Sequence, residues 1–166
     1  MNIQITNGYS VIIDPIDNDL SKYCWQTSMK SSSYANPYAI TRINRNYFNY
    51  TILMHRVIMQ RIIKRNLEYR ELVDHIDGNE LNNSRSNLRI ATASENQANT
   101  SKPHGNFSSK YKGVSWDKNK KKWRAHFKFH GKGVHIGYFD SEIDAALAFN
   151  KVHKTYFGEF SRSNII

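Results

Sequence analysis

The sequence predicts an α+β protein in two parts: a β-rich N-terminal region that ends in a hairpin and a helix, then a separate three-stranded antiparallel sheet packed on one helix. Short apolar runs bounded by Asn, Asp, Pro and Ser fill residues 9–53. Residues 101–110 contain Pro, Gly and Ser without apolar periodicity, which is typical of a linker. Beyond them, three runs in which apolar and polar residues alternate precede a segment with strong helical periodicity. We therefore predict one domain over 1–100 and another over 111–166.

The N-terminal elements follow from apolar periodicity. Four runs predict the strands of a β-meander at 9–13, 23–29, 38–43 and 47–53. Residues 54–65 change to helical spacing, which predicts a helix buried on the side of Val57, Ile58 and Ile62. We interpret His55 and Arg56 on this helix as a solvated pair, with phosphate contact as the alternative.

The C-terminal elements have equally clear limits. Strands are predicted at 111–116, 122–129 and 133–139, joined by hairpin turns. Ser141 is a favourable N-cap for the following helix, whose first turn carries Glu142 and Asp144, and Gly158 ends it. Three strands and one packed helix predict a complete small domain.

Composition narrows the class of partner. The chain has 166 residues and a formal net charge of +10, which indicates a polyanionic partner such as nucleic acid. From Ser101 onward, 13 Lys and Arg face 5 Asp and Glu, so most of the net charge lies there. No apolar run reaches the roughly 18 residues that span a bilayer, and residues 1–9 do not resemble a signal peptide. Cys24 is the single cysteine, which excludes an internal disulfide. We expect an unsecreted cytoplasmic protein without a membrane partner.

Residues 73–100 carry the candidate chemistry. Two β-type segments flank a polar loop, and a helix begins near residues 92–94. Asp74 and Asn96 offer oxygen ligands of the kind that Mg²⁺ prefers, and His75 can accept a proton from water near neutral pH. Because neighbours on a regular strand point to opposite faces, Asp74 and His75 require a bulge or a strand end to act together. If that requirement fails, Asp77 is the alternative ligand.

These residues resemble the signature of the HNH nucleases, the ββα-metal family. The similarity covers residues 73–100, with His-x-Asp-Gly-Asn at 75–79, Asn83 in the loop and Asn-Leu-Arg at 87–89. The resemblance implies a ββα-metal core over 70–100 with His75 as general base and Asn87 as the residue that holds the loop and the histidine. It also implies that Asp74 and Asn96 bind one metal ion. Since Asn96 replaces the His of many relatives, we expect Mg²⁺ or Mn²⁺.

Two further asparagines are candidates for supporting roles. Asn83 lies in the loop of the motif. Asn99 follows Asn96 by three residues and so shares its helix face, with a simple surface amide as the alternative interpretation.

Strand alternation sorts the side chains of the C-terminal sheet. Trp123, Ala125, Phe127 and Phe129 share one face, and the basic residues of the same strand share the other. The exposed face can enter a major groove. The predicted DNA-binding residues are Lys112, Ser115, Lys122, Arg124, His126, Lys128, Lys132 and His135.

This segment resembles the DNA-binding domain of the plant ethylene-response factors, the APETALA-type domain. The matching features are Tyr-Lys-Gly-Val at 111–114, Trp-Arg-Ala at 123–125, Ile-Gly-Tyr-Phe at 136–139 and an alanine-rich helix that ends near Asn150. The strand-one arginines of that family are replaced here by Ser115 and Asp117, and a third-strand tryptophan by His135. The resemblance therefore implies the fold and DNA binding without implying the recognised sequence.

The sequence as a whole predicts a monomeric, site-specific endonuclease of homing or phage type that nicks double-stranded DNA with one Mg²⁺ or Mn²⁺ ion and no small-molecule cofactor. Lys102, His104 and Lys110 would let the linker track along DNA. Two alternatives remain open: a DNA-binding regulator with an inactive nuclease core, and an RNA-binding or RNA-processing protein.

Overall fold

The computed structural model describes residues 1–28, 37–45, 48–103 and 105–166. These residues form two compact units, Met1–Ala91 and Thr92–Ile166. The elements confirm the α+β class. Ten strands are described: β1 Asn2–Gln4, β2 Ser10–Ile12, β3 Gln26–Thr27, β4 Ala39–Arg45, β5 Phe48–Leu53, β6 Leu72–His75, β7 Leu88–Ala91, β8 Val114–Asp117, β9 Lys122–Phe129 and β10 Lys132–Phe139. Three α-helices are described: α1 Met54–Ile63, α2 Ala93–Asn99 and α3 Glu142–Phe157.

The first unit contains three small antiparallel sheets instead of one meander. The predicted meander is confirmed only for β3, β4 and β5, which pair in that order. The prediction that the 9–13 run joins the meander was wrong, because β2 pairs with β1, a strand at the N-terminus that periodicity did not reveal. The hairpin of β6 and β7 forms the third sheet. Of the predicted strand limits, Met29 and Tyr47 lie outside the described residues.

Helix α1 buries a face that overlaps only in part with the predicted one. It ends at Ile63, where Lys64 adopts a left-handed conformation with φ 55° that stops the helix. The buried side chains are Met54, His55, Ile58 and Met59. Ile62 is 36% exposed, so the prediction of a buried Val57, Ile58 and Ile62 face was wrong in part. The helical period is correct, but the core-facing side also includes His55 and Met59 and leaves Ile62 exposed.

The first core brings together side chains from all three sheets and from α1. Its buried members are Ile3, Ile5, Val11, Ile13, Leu20, Trp25, Ala39, Met54, Ile58, Met59, Val73 and Leu88. Val73 and Leu88 come from the β6–β7 hairpin, so this core supports the strands that carry the predicted catalytic residues.

The second unit contains the predicted sheet and helix. Strand β9 lies between β8 and β10, and all pairs are antiparallel. Ser141 caps α3 as predicted, since its hydroxyl accepts from the Ile143 and Asp144 amides. Gly113 has φ 72°, and a Cβ there would overlap the ring of Phe149 on α3. Only glycine therefore lets the chain before β8 pack this closely on the helix.

The second unit also includes α2 and most of the segment predicted to be a linker. Ala98 of α2 is buried in the second core. Lys102 Nζ donates to Tyr111 O at 2.7 Å, and Ser109 is buried with its hydroxyl accepting from the Tyr111 amide. His104 lies outside the described residues. The structural division, between Ala91 and Thr92, thus precedes the predicted domain limit. In the part of the chain that the structure describes, no helix is long and apolar enough to cross a membrane.

Candidate active site

The β6–β7 hairpin holds Asp74 and His75 at the end of a regular strand. The register runs without a shift from Leu72 opposite Ala91 to His75 opposite Leu88. No bulge separates Asp74 from His75, and His75 is the last residue of β6. The Ile76 amide continues the pairing by donating to Asn87 O at 2.9 Å, so the irregular backbone expected at Asp74 and His75 is not observed, and β6 ends only after them.

Asp74 faces its cross-strand partner. Both residues of this pair are largely buried, and Arg89 Nε and Nη2 each lie 2.8 Å from Asp74 Oδ2. Antiparallel pairing places these opposite charges directly across from each other, an arrangement that stabilises the hairpin. The hairpin thus holds the Asp74 carboxyl group against the Arg89 guanidinium group.

His75 is buried, with only 4% of its surface exposed. Its Nε2 lies 3.2 Å from Asn83 Oδ1, a hydrogen-bonding distance. Burial lowers the pKa of His75 below its usual value, while Asn83 and the nearby carboxylates act in the opposite direction. The neutral imidazole, which can accept a proton, is therefore favoured near neutral pH.

Asn87 holds the loop that follows His75. Its Oδ1 accepts from the Asp77 amide at 3.0 Å, and its Nδ2 donates to Asp77 Oδ1 at 2.9 Å and to Asn82 O at 2.7 Å. The Asp77 carboxylate also accepts from Asn79 and Asn82. The hydrogen bonds of Asp77, the alternative metal ligand, thus stabilise the conformation of the loop.

Strand β2 forms backbone hydrogen bonds with the same loop. The Ile12 amide donates to Leu81 O at 2.9 Å, and the Asn83 amide donates to Ile12 O at 2.8 Å. Asn83 is fully buried. The edge of β2 therefore fixes the residue that hydrogen-bonds His75.

His55 is a candidate active-site residue that the sequence interpretation missed. It is 5% exposed, so the prediction of a solvated His-Arg pair was wrong. Its ring lies 5.1 Å from that of His75 at 80°, and Tyr38 lies 5.0 Å from His55. Burial, with His75 and Arg56, lowers the pKa of His55 to about 3. The signal available in the sequence was the position of His55 next to Met54, inside the first turn of an apolar helix.

Helix α2 carries the other two predicted residues of the site. Thr92 caps it in a capping box: Thr92 Oγ1 accepts from the Glu95 amide at 3.3 Å, and Glu95 Oε2 accepts from the Thr92 amide at 2.7 Å. Asn96 is half-buried and Asn99 is buried, which disagrees with a simple surface amide at Asn99. Both belong to the second unit, whereas Asp74 and His75 belong to the first.

The polar face of the C-terminal sheet brings most of the predicted DNA-binding residues together. Arg124 lies opposite Ser115 on β8, Lys128 opposite Gly133, and His126 opposite His135 on β10. The β9–β10 register shifts between His135 and Gly137, which places Tyr138 opposite Arg124. Lys122 begins β9 on the same face as Arg124, whereas Lys132 begins β10 opposite Phe129 and therefore lies on the other side of the sheet.

Lys112 differs from the rest of this set. Its ammonium group donates to the carbonyl oxygens of Ala98 at 2.6 Å, Thr100 at 2.7 Å and Gln97 at 3.2 Å. The charge is therefore engaged within the protein, a geometry at odds with the predicted contact to DNA.

Comparison with known proteins identifies the family. A sequence profile described as HNH endonuclease matches residues 53–98, which include α1, β6, β7 and nearly all of α2. Over 147 residues the chain is 33% identical to a protein of Acanthamoeba polyphaga mimivirus named as an uncharacterized HNH endonuclease, a match that covers 89% of this chain and 70% of that relative. The chain therefore belongs to the HNH endonuclease family.

A second relative matches a shorter segment. The chain is 45% identical over 60 residues to Protein 3.8 of Escherichia phage T7, which covers 36% of this chain and 49% of that protein. No solved structure matches the chain.

Proposed function

We propose that this endonuclease hydrolyses phosphodiester bonds of double-stranded DNA with His75 as general base and one divalent metal ion held by Asp74 and Asn96. The observation that carries the proposal is the environment of His75. It is buried at the end of β6 next to Asp74, and its Nε2 lies within hydrogen-bonding distance of Asn83, in a loop that Asn87 and β2 hold. A rigidly held neutral imidazole suits proton abstraction from water.

The chemistry of the donor set fits a hard divalent cation. Asp74 supplies a carboxylate and Asn96 an amide oxygen, the ligands that Mg²⁺ and Mn²⁺ accept. When bound, the metal ion would polarise the scissile phosphate and neutralise charge on the leaving oxygen.

His75, Asn83, Asn87 and Asn99 have separate roles in this proposal. His75 would take the proton from the attacking water, and the Asn83 amide oxygen would keep the imidazole in one orientation. Asn87 would preserve the loop that carries Asn83, since its side chain makes three hydrogen bonds there. Asn99 would support Asn96 on α2.

The C-terminal sheet is proposed to supply the grip on DNA. Arg124, His126, Lys128 and His135 share its polar face, where arginine can donate to guanine and lysine can meet phosphate. A monomer with one active site would then cut one strand of a specific site, and we propose a nuclease of homing or phage type. Ser115, Lys122 and Lys132 complete the proposed DNA contacts.

Incubation of supercoiled plasmid with the protein and Mg²⁺ tests this proposal. We expect nicked circles from the wild type and a rate at least about 100-fold lower for His75→Ala, because general-base catalysis contributes a factor of that order. We expect Asp74→Asn to need more Mg²⁺ for half-maximal cleavage, whereas Asp144→Asn, an exposed carboxylate on α3, serves as the matched control.

Three outcomes would contradict parts of the proposal. Undiminished cleavage by His75→Ala would exclude the general base, and unchanged Mg²⁺ dependence in Asp74→Asn would exclude the ligand. A wild type that binds duplex DNA without cutting it at any Mg²⁺ or Mn²⁺ concentration would favour a regulator with an inactive core.

A further inference from the structure

Lys112 occupies an unusual environment for a lysine in a basic protein. The three carbonyl oxygens that accept from its ammonium group belong to the last turn of α2 and to the residue after the helix. The last carbonyls of a helix lack partners within the helix and carry partial negative charge. A lysine placed there satisfies several of them at once. Burial lowers the pKa of Lys112 to about 8, consistent with a charge surrounded by protein atoms.

The backbone of Lys112 is also held by hydrogen bonds. The Lys112 amide donates to Asn164 Oδ1 at 2.7 Å, and Asn164 Nδ2 donates to Lys112 O at 3.1 Å. The next residue, Gly113, packs on Phe149, and its carbonyl oxygen accepts from the His126 amide at 2.8 Å. The ammonium group therefore projects from a rigid part of the sheet-helix module.

Other contacts within the second unit attach α2 along its length. The His130 amide donates to Ser94 Oγ at 3.3 Å near the start of the helix. Ala98 is buried in the second core, and its carbonyl oxygen also accepts from the Arg162 amide at 3.3 Å. A helix of seven residues is marginal by itself, so its position depends on these contacts.

We propose that Lys112 is a positioning residue of the nuclease: its capping of α2 sets the place of Asn96, which directly precedes the capped turn. The inference rests on the proposed role of Asn96 as a metal ligand. It assigns Lys112 to cleavage instead of DNA contact. Loss of the cap would let the last turn of α2 fray and displace the Asn96 amide oxygen.

The test compares Lys112→Met with the wild type in the full chain. Methionine keeps the length and apolar stem of lysine but removes the charge and the donors. We expect the single-turnover rate of plasmid nicking at saturating protein to fall at least about tenfold, because loss of a group that orients a metal ligand has an effect of that order. We also expect the Mg²⁺ concentration for half-maximal cleavage to rise, while affinity for a duplex in EDTA stays within about twofold of the wild type.

Lys151→Met is the matched control. Lys151 is exposed on α3 of the same unit, so this variant loses the same charge without loss of the cap. It should leave the rate and the Mg²⁺ dependence unchanged. Amide hydrogen exchange of residues 97–100 should be faster in Lys112→Met than in Lys151→Met.

The opposite pattern would overturn the inference. If Lys112→Met weakens DNA binding but cleaves at the wild-type rate when saturated, Lys112 is a DNA contact. Should Lys112→Met not fold, Lys112→Gln, which keeps a donor on a shorter neutral side chain, is used for the same comparison. A wild-type rate and Mg²⁺ dependence in Lys112→Gln would likewise overturn the inference.

Asn96→Ala, measured in parallel, distinguishes a failure of the proposed metal ligand from a failure of the inference about Lys112. If Asn96→Ala does not change the Mg²⁺ dependence, the proposed metal ligand is wrong and the inference about Lys112 falls with it. If Asn96→Ala changes that dependence and Lys112→Met does not, only the inference about Lys112 is overturned.

Discussion

At the scale of single residues, His153 shows how burial changes a titratable group. It is 2% exposed in the second core, its ring stacks on Phe149 at 4.7 Å, and its Nδ1 lies 2.6 Å from Ser161 Oγ. Burial, with a smaller effect of Lys112, lowers the pKa of His153 to about 4. The folded protein therefore keeps this ring neutral where an unfolded chain, with a pKa near 6.5, would protonate it.

This difference predicts a loss of stability in mild acid. Between the unfolded pKa near 6.5 and the folded pKa of about 4, only the unfolded state binds the proton, so the free energy of unfolding falls as pH decreases through that window. A single group changes it by at most about 1.4 kcal/mol per pH unit. Thermal unfolding at pH 7 and pH 5 should show a smaller decrease in Tm for His153→Gln than for the wild type. Equal decreases in the two proteins would contradict the assignment.

At the scale of elements, one buried carboxylate joins the N-terminal segment to α1 and to the loop of the candidate active site. Asp17 is fully buried and contacts Arg85 Nε at 2.8 Å and Arg61 Nη1 at 3.0 Å. Burial alone would raise the pKa of Asp17, but the hydrogen bonds and charges of Arg85 and Arg61 outweigh it and hold that pKa below its usual value. Arg85 lies two residues before Asn87, so this cluster supports the loop of the candidate site.

Asp17→Asn should therefore destabilise the protein. It leaves two arginines without their shared buried anion, and we expect the free energy of unfolding to fall by about 1–3 kcal/mol, because both arginines retain contact with water. Asp19→Asn is the matched control: Asp19 binds the same Arg61 but is 49% exposed, and exposed ion pairs contribute less than about 1 kcal/mol. Urea denaturation measures both. Equal losses in the two variants would show that the burial of Asp17 has no energetic role.

At the scale of the whole molecule, most of the positive charge and the proposed catalytic residues lie in different segments of the chain. The net charge of +10 comes mainly from residues after Ser101, whereas His75 and Asp74 lie in a segment with little net charge. A cluster of cations on a sheet surface releases counterions when it meets the phosphate backbone. Affinity for DNA should therefore depend strongly on salt through the C-terminal sheet.

Combined replacement of Lys122, Arg124 and Lys128 by Ala tests this division, because these three cations share the polar face of β9. We expect the slope of log affinity against log salt concentration to flatten by about 0.9 for each phosphate contact that is lost. Replacement of the exposed Lys22, Lys151 and Lys154 by Ala removes the same charge elsewhere and should leave the slope close to that of the wild type. A similar flattening in both triple variants would show that net charge, and not this face, sets the salt dependence.

Some features could be predicted from the sequence because neighbouring residues determine them. The helix α3 with its Ser141 cap, the strand β9 and the family motif from His75 to Arg89 depend on local periodicity, capping and spacing. The basic character of the C-terminal third depends on composition alone. These properties require no knowledge of which distant segments meet.

Tertiary structure decided what depends on contacts between distant segments. Periodicity gave the correct length of α1 to within two residues, but only packing showed that His55 lies against His75. The pairing of β2 with β1, and of its edge with the loop at Asn83, could not be read from alternation, because that pattern reports which face is apolar and not which strand lies beside it. Lys112 is likewise a surface cation in the sequence and a helix cap in the fold, since its three acceptors lie 12 to 15 residues earlier in the chain.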